Sequence, residues 1–222
     1  EFSYVAGKIA ENQPNAIIRI GWEMNGYWFG NWATAGRDKD YIDAFRHVAQ
    51  VFKKASPTFK IDWCPNLGKC NDAPVNCYPG DDVVDIIGMD VYDKNAWTTH
   101  EKAWEGTLNG EYGLKWHAAF AAEHYKPMSY PEWGVGDCGD NPLFVQNMHD
   151  WIKSNNVAYY CYWNSNEGGD KCIITNNQYP QSTALFLKLF GTPNPAKPSA
   201  ELVKRDTKTQ GSWKGVYGAD GY

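Results

Sequence analysis

Two glutamates stand out as groups that could do chemistry. The apolar run Ala16-Ile17-Ile18-Arg19-Ile20-Gly21-Trp22 leads straight into Glu23, followed by Asn25 and the cluster Tyr27-Trp28-Phe29. A second strand-like run closes on Tyr130-Pro131-Glu132-Trp133-Gly134. Two strand-end carboxyls sharing one cleft are what cleavage of a glycosidic bond requires: one protonates the leaving oxygen, the other attacks the anomeric carbon or activates water. A lone strand-end Glu is more often a solvated loop residue or half of an ion pair. Two of them, each beside Trp and Gly in a Trp-rich chain, favour catalysis. Arg19 lies four residues before Glu23, so strand alternation directs both to one face. Buried there, the guanidinium demands a carboxylate. That partner could make an ordinary ion pair or a nucleophile that Arg19 orients and ionises.

Composition supports a sugar ligand. The chain has 222 residues with 11 Trp, 14 Tyr and 9 Phe, more aromatic N–H and O–H groups than a core alone would need to satisfy. Flat apolar faces with a polar rim suit sugar rings. The chain is 43% hydrophobic and 21% charged, which is too apolar for disorder. Its net charge of −5 argues against a nucleic-acid partner. No run of about 18 apolar residues offers a membrane span. The five His form no ligand pair, Asn164 to Asp170 lacks the spacing of a calcium loop, and no G-x-S-x-G elbow is present. We therefore expect no metal, no cofactor and a monomer acting on polysaccharide.

The elements that must position these groups alternate. Strands are expected at 16–22, 60–64, 83–89, 128–133 and 157–163, and helices before Ala16 and over 41–55, 114–125, 143–154 and 181–190. Continuous apolar strands alternating with helices mean a parallel sheet covered by helices. Five strands are too few for a closed eight-stranded barrel, which typically takes about 250 residues; the sheet is either an incomplete barrel or an open α/β sheet. Residues 1–191 read as this catalytic-type domain. Residues 192–210 read as a linker, rich in Pro at its start, and 211–222, aromatic and Gly-rich, as the start of a truncated second module.

The run from Arg19 to Phe29 resembles the acid/base segment of glycoside hydrolase family 26, and Tyr130 to Gly134 resembles its nucleophile segment. Asp90-Val91-Tyr92 and Tyr162-Trp163-Asn164 fall where that family has cleft residues. The resemblance implies a (β/α)8 TIM barrel of which strands four to eight are visible, strands one to three lying ahead of residue 1. It also implies a retaining, endo-acting glycoside hydrolase of the β-mannanase type, with Glu23 as acid/base and Glu132 as nucleophile. Arg19 and Tyr92 would serve the nucleophile, Trp28 and Trp163 would stack on sugars, and Asn25 would make a polar contact. One departure concerns specificity. Mannanases of the family generally carry His before the acid/base, whereas this chain has Trp22 lining the site, so mixed-linkage glucan, xylan or an exopolysaccharide gain weight against mannan. A non-catalytic carbohydrate-binding barrel, or another glycosidase of the barrel clan, are the alternatives.

Six cysteines allow 15 full pairings. Cys70 and Cys77 flank a turn-rich stretch that suits a short disulfide loop, and Cys138 and Cys172 could pair across loops. Cys64 and Cys161 read as buried thiols. Disulfides would imply a secreted or periplasmic protein.

Overall fold

The computed structural model describes residues 1–167 and 171–191. The expected linker at 192–210 and the module at 211–222 lie outside the described residues. Helix α1 (Phe2–Asn12) precedes strand β1 (Ile17–Arg19), and α2 (Asp38–Ala55) leads to β2 (Lys60–Trp63). A short 3-10 turn (Pro74–Cys77) comes before β3 (Ile86–Gly88) and β4 (Val91–Tyr92). Then come α3 (His100–Asn109), α4 (Leu114–Glu123), β5 (Met128–Gly134), α5 (Pro142–Ser154), β6 (Val157–Tyr162) and α6 (Pro180–Phe190).

All pairings are parallel: β1 with β2, β2 with β3, β3 and β4 both with β5, and β5 with β6. β3 and β4 are two pieces of one strand. Ile87 pairs with Met128 and Val91 with Trp133, a slip of one residue absorbed between them. Asp90 sits in the gap and turns to the other neighbour, its N–H donating to Pro65 O at 3.0 Å. The six segments thus fill five adjacent barrel places, a curled part of a (β/α)8 barrel, and the open-sheet alternative falls away.

Alternation gives this sheet two unlike faces. One carries Ile61, Trp63, Ile87 and Met128, which cluster with Tyr41, Phe45, Ala49 and Phe52 of α2 and Ala121 of α4. Those α2 residues recur at helical spacing. The helix has Asp38 and Asp40 in its first turn and Lys53 and Lys54 in its last, each suited to the local helix dipole. A second cluster joins Tyr130 and Trp133 to Phe144, Val145, Met148 and Ile152 of α5 and to Phe186 and Phe190 of α6. Asn141 caps α5 by accepting from Phe144 N at 3.2 Å, with Pro142 in its first turn, both common ways to start a helix. The lumen face is polar: Arg19 is in register with Asp62, and Gly88 with Ser129.

His117 of α4 is fully buried, and burial lowers its pKa to about 4, so it is neutral. Its Nε2–H donates to Ile87 O at 2.9 Å while Nδ1 lies 3.3 Å from the Tyr130 hydroxyl. The ring pins α4 to two strands, a structural use for a buried histidine.

Several sequence expectations need correction. Helix α3 is an addition to the expected elements, because its buried face is only Ala103 and Thr107 and carries little apolar period. The strand expected at 83–89 starts at Ile86, since Val83 and Val84 form a turn by donating to Gly80 O. β1 ends at Arg19 rather than Trp22, because the chain turns at Gly21 with φ +49.

No disulfide joins the described cysteines. The 3-10 turn swings Cys77 into the core beside Trp63, whereas Cys70 stays exposed. Cys138 is a free thiol, and Cys172 is buried against Gly134. Cys161 is exposed rather than buried, for among the described residues β6 pairs with β5 alone.

Gly88 is where the lumen is tightest. A Cβ there would sit 2.6 Å from Asp62 Oδ1 and 2.8 Å from Ser129 Oγ. Gly88→Ala should destabilise by about 1–3 kcal/mol through overpacking. Gly30→Ala, where a Cβ meets nothing within 4 Å, should cost far less. Urea unfolding of the two variants measures the difference.

Candidate active site

A cleft of about 560 Å³ opens at the carboxyl ends of the strands, where barrels build their sites from βα loops. The β1–α2 loop supplies Glu23, Tyr27, Trp28 and Phe29; Asn66 follows β2, Tyr92 and Lys94 come from β4 and its loop, Glu132 from β5, and Trp163 follows β6.

Glu132 is gripped by donors. Arg19 Nη2 donates to its Oε1, and the Tyr92 hydroxyl donates to its Oε2 at 2.7 Å. The guanidinium reaches at the same time to Asp90, with Nη1 3.0 and 3.1 Å from the two carboxylate oxygens. Burial works against the Arg19 cation, but Asp90 and then Glu132 outweigh it, and its pKa is raised. Asp90 is fully buried. Burial pushes its carboxyl up, and Arg19 opposes that. Its contacts come from donors: Arg19, Glu132 N at 3.1 Å and the Cys64 thiol at 3.2 Å. That is the set expected of a carboxylate.

Glu23 lives in a different environment. It is 8% exposed, at the turn that follows β1, with φ +52. Such a φ lies in the left-handed region that non-glycine residues seldom enter. Its N–H donates to Cys64 O at 2.8 Å. Its carboxyl accepts from Trp28 Nε1 at 2.5 Å and Asn66 Nδ2 at 2.9 Å. Burial raises its pKa, the Trp28 N–H pulls it down, and the charge of Glu132 pushes it up again. The two carboxyls therefore sit in one cleft with opposed surroundings, one ringed by donors and a cation, the other desolvated.

Trp22 lies against the Arg19 guanidinium, 4.9 Å from ring centroid to Cζ, and packs on Phe29 and Trp32. Trp28 is 43% exposed with its indole N–H turned to Glu23, so a ring face is left to the cleft. Asn25 is not brought to the cleft. It is fully buried, its amide donating to Asn66 O and Gly68 O, both at 2.9 Å, while its Oδ1 accepts from Asn66 N. Asn25 thus holds the β2 loop and, through it, Asn66. Sequence reasoning does not single out Asn66, Lys94 or the structural part played by Asp90. The strand-end position of Asn66 after Trp63 is a usable signal. The interruption that turns Asp90 toward Arg19 leaves none.

A partial barrel here brings two glutamates into one aromatic cleft at its strand ends, an arrangement that glycosidic-bond cleavage can use. Residues 3–105 match the model of glycosyl hydrolase family 26. Endoglucanase H of Acetivibrio thermocellus is 24% identical over 206 residues, covering 87% of this chain and 22% of that protein. A mannan endo-1,4-beta-mannosidase of Bifidobacterium adolescentis is 25% identical over 170 residues, covering 69% and 17%. The chain thus spans about a fifth of the length of these curated relatives. Among solved structures, a GH26 beta-mannanase from Bacteroides ovatus superposes with a TM-score of 0.60 at 19% identity, over 78% of this chain and 49% of that one. A modular endo-beta-1,4-mannanase from Cellulomonas fimi gives 0.57 at 25% identity, over 76% and 40%. These likenesses carry the barrel fold.

The Trp28 contact can be tested. Trp28→Phe removes an N–H donor from the charged form of Glu23, so the pKa of Glu23 should rise further. A carbon-13 NMR titration of the glutamate carboxyls, with Glu23→Gln to assign the signal, reads the change.

Proposed function

We propose that this chain carries the catalytic half-barrel of a retaining endo-glycoside hydrolase that cuts internal β-linkages of a polysaccharide. The observation that carries the reading is the opposition between the two carboxyls. Glu132, held by Arg19 and Tyr92, is the nucleophile: donors on both oxygens aim it at the anomeric carbon. Glu23, desolvated and facing a negative charge, keeps a proton to higher pH and is the acid/base.

In the first step Glu132 attacks while Glu23 gives its proton to the leaving oxygen, forming a glycosyl ester. In the second, Glu23 takes a proton from water, which attacks the same carbon and releases Glu132. Trp28 and Trp163 stack on sugar rings flanking the bond. Arg19 and Tyr92 strengthen their hold on Glu132 as it leaves in the second step.

The named activities of the two curated relatives, on glucan and on mannan, support a β-glycan as substrate. Trp22, in place of the His of mannanases, favours a substrate other than plain mannan, such as mixed-linkage glucan. A polymer of this kind is met outside the cytoplasm, so a secreted or periplasmic protein is proposed; the cysteines lend it no disulfide support. We take the chain to act as a monomer.

The test is release of reducing ends from a panel of mannan, mixed-linkage glucan and xylan, with the anomer of the first product followed by proton NMR. Retention is expected, together with a carboxyl separation of about 5–5.5 Å in a ligand complex. Glu23→Ala should cost about 10²–10⁴-fold on unactivated substrate, and Glu132→Ala should abolish turnover. Full activity in Glu132→Ala, or product of inverted configuration, overturns the mechanism. Binding without any release would favour a carbohydrate-binding barrel instead.

A further inference from the structure

A carboxyl that this mechanism does not use lies in the lumen below the cleft. Asp62, on β2, is in register with Arg19 on β1 and is fully buried. Its Oδ2 accepts from Ser129 Oγ of β5 at 2.6 Å and from the Tyr159 hydroxyl of β6. Its Oδ1 has no hydrogen-bond partner among the described residues. Room for it exists only because residue 88 is glycine. Bulky branched side chains usually fill a barrel lumen. They would be the more stable solution here, since a buried carboxyl with one oxygen unsatisfied is costly. The lumen keeps the carboxyl and a glycine to accommodate it, in register with Arg19, whose guanidinium already serves two other carboxylates.

We propose that Asp62 is a positioning residue for the reaction, acting through Arg19 to divide the guanidinium's charge between the lumen and Glu132. This rests on the hydrolase reading above. With Asp62 charged, part of the Arg19 field is drawn into the lumen, and Glu132 stays reactive. With Asp62 neutral, Arg19 turns its field on Glu132, which becomes a more stable and weaker nucleophile.

The groups facing Asp62 are Arg19 from β1, Cys64 just past β2, the Gly88 backbone of β3, Ser129 from β5 and Tyr159 from β6. Asp90 stands one contact further, accepting from the Cys64 thiol. Burial pushes the Asp62 carboxyl up to about 6, against the pull of Ser129, Tyr159 and Arg19. It therefore changes charge within a working pH range. Because its folded pKa is raised, Asp62 stabilises the fold at low pH, and that contribution is lost as pH rises through about 6.

The experiment compares pH profiles of kcat and KM for the wild type, Asp62→Asn and Tyr159→Phe, with melting temperatures at each pH. Asp62→Asn should lower kcat several-fold with KM unchanged and move the acid limb to lower pH, because Arg19 then turns more of its charge on Glu132. The same variant should melt no lower than wild type at pH 8, where the native carboxylate is a burden. Tyr159→Phe, which keeps the carboxyl but removes a donor, should shift the limb in the same direction by less. A profile for Asp62→Asn that superimposes on wild type overturns the proposal, as does parallel loss of stability and activity, the mark of a purely structural role. Absence of any hydrolysis by the wild type would sink the hydrolase reading itself, whereas an active wild type with an unmoved profile sinks only Asp62.

Discussion

Everything at the strand ends depends on one cation placed where a cation is costly. Arg19 enters the barrel lumen, and burial alone would push it to lose its charge. What keeps it charged is Asp90 on one side and Glu132 on the other. The constraint runs both ways. Asp90 is fully enclosed and could not stay ionised without the guanidinium, and Glu132 owes its aim to the same fork. Removing Arg19 would leave two carboxylates facing each other in a low-dielectric interior with no cation between them, which is why the three positions are fixed together rather than one at a time.

The division of the sheet into an apolar outer face and a polar inner one is what makes such a cluster tolerable. Outside, Trp63, Ile87 and Met128 bury against α2 and α4, and Tyr130 and Trp133 against α5 and α6. That layer supplies most of the hydrophobic stabilisation. Inside, strand alternation leaves Arg19, Asp62 and Ser129 facing the lumen, Arg19 bonded to Asp90 and Glu132, and Ser129 bonded to one oxygen of Asp62. The single-residue slip between β3 and β4 then re-aims one side chain, Asp90, across to its neighbour strand. Bulges near active sites commonly serve this purpose.

Much of this was legible in the sequence, and the limits have physical causes. The strand cores of β2 and β5 and the helices α2 and α5 show their period plainly, because each buries several apolar side chains. Glu23 and Glu132 are singled out by their places at the ends of apolar runs, but alternation does not relate Arg19 to Glu23, because β1 ends at Arg19 and the chain turns at Gly21. The slip at Met89-Asp90 has no local signal, since it is imposed by pairing with β5. Asn25 misled because an amide next to a candidate acid looks like a ligand contact; only the fold reveals that the Asn66 and Gly68 backbone consumes it. The cysteines misled for a similar reason, for proximity in sequence says nothing of which way a 3-10 turn points a thiol.

The left-handed backbone at Glu23 has an evolutionary corollary. A glycine or asparagine would sit at φ +52 with less strain and without a desolvated carboxyl, at the loss of the hydrogen bonds that Trp28 and Asn66 make to the glutamate. In a lineage released from selection for turnover, this would be among the first positions to drift, and the drifted proteins would be sturdier than their ancestor. Descendants of this fold that have become sugar-holding scaffolds should therefore be recognised less by what they have added than by a relaxed turn after the first strand.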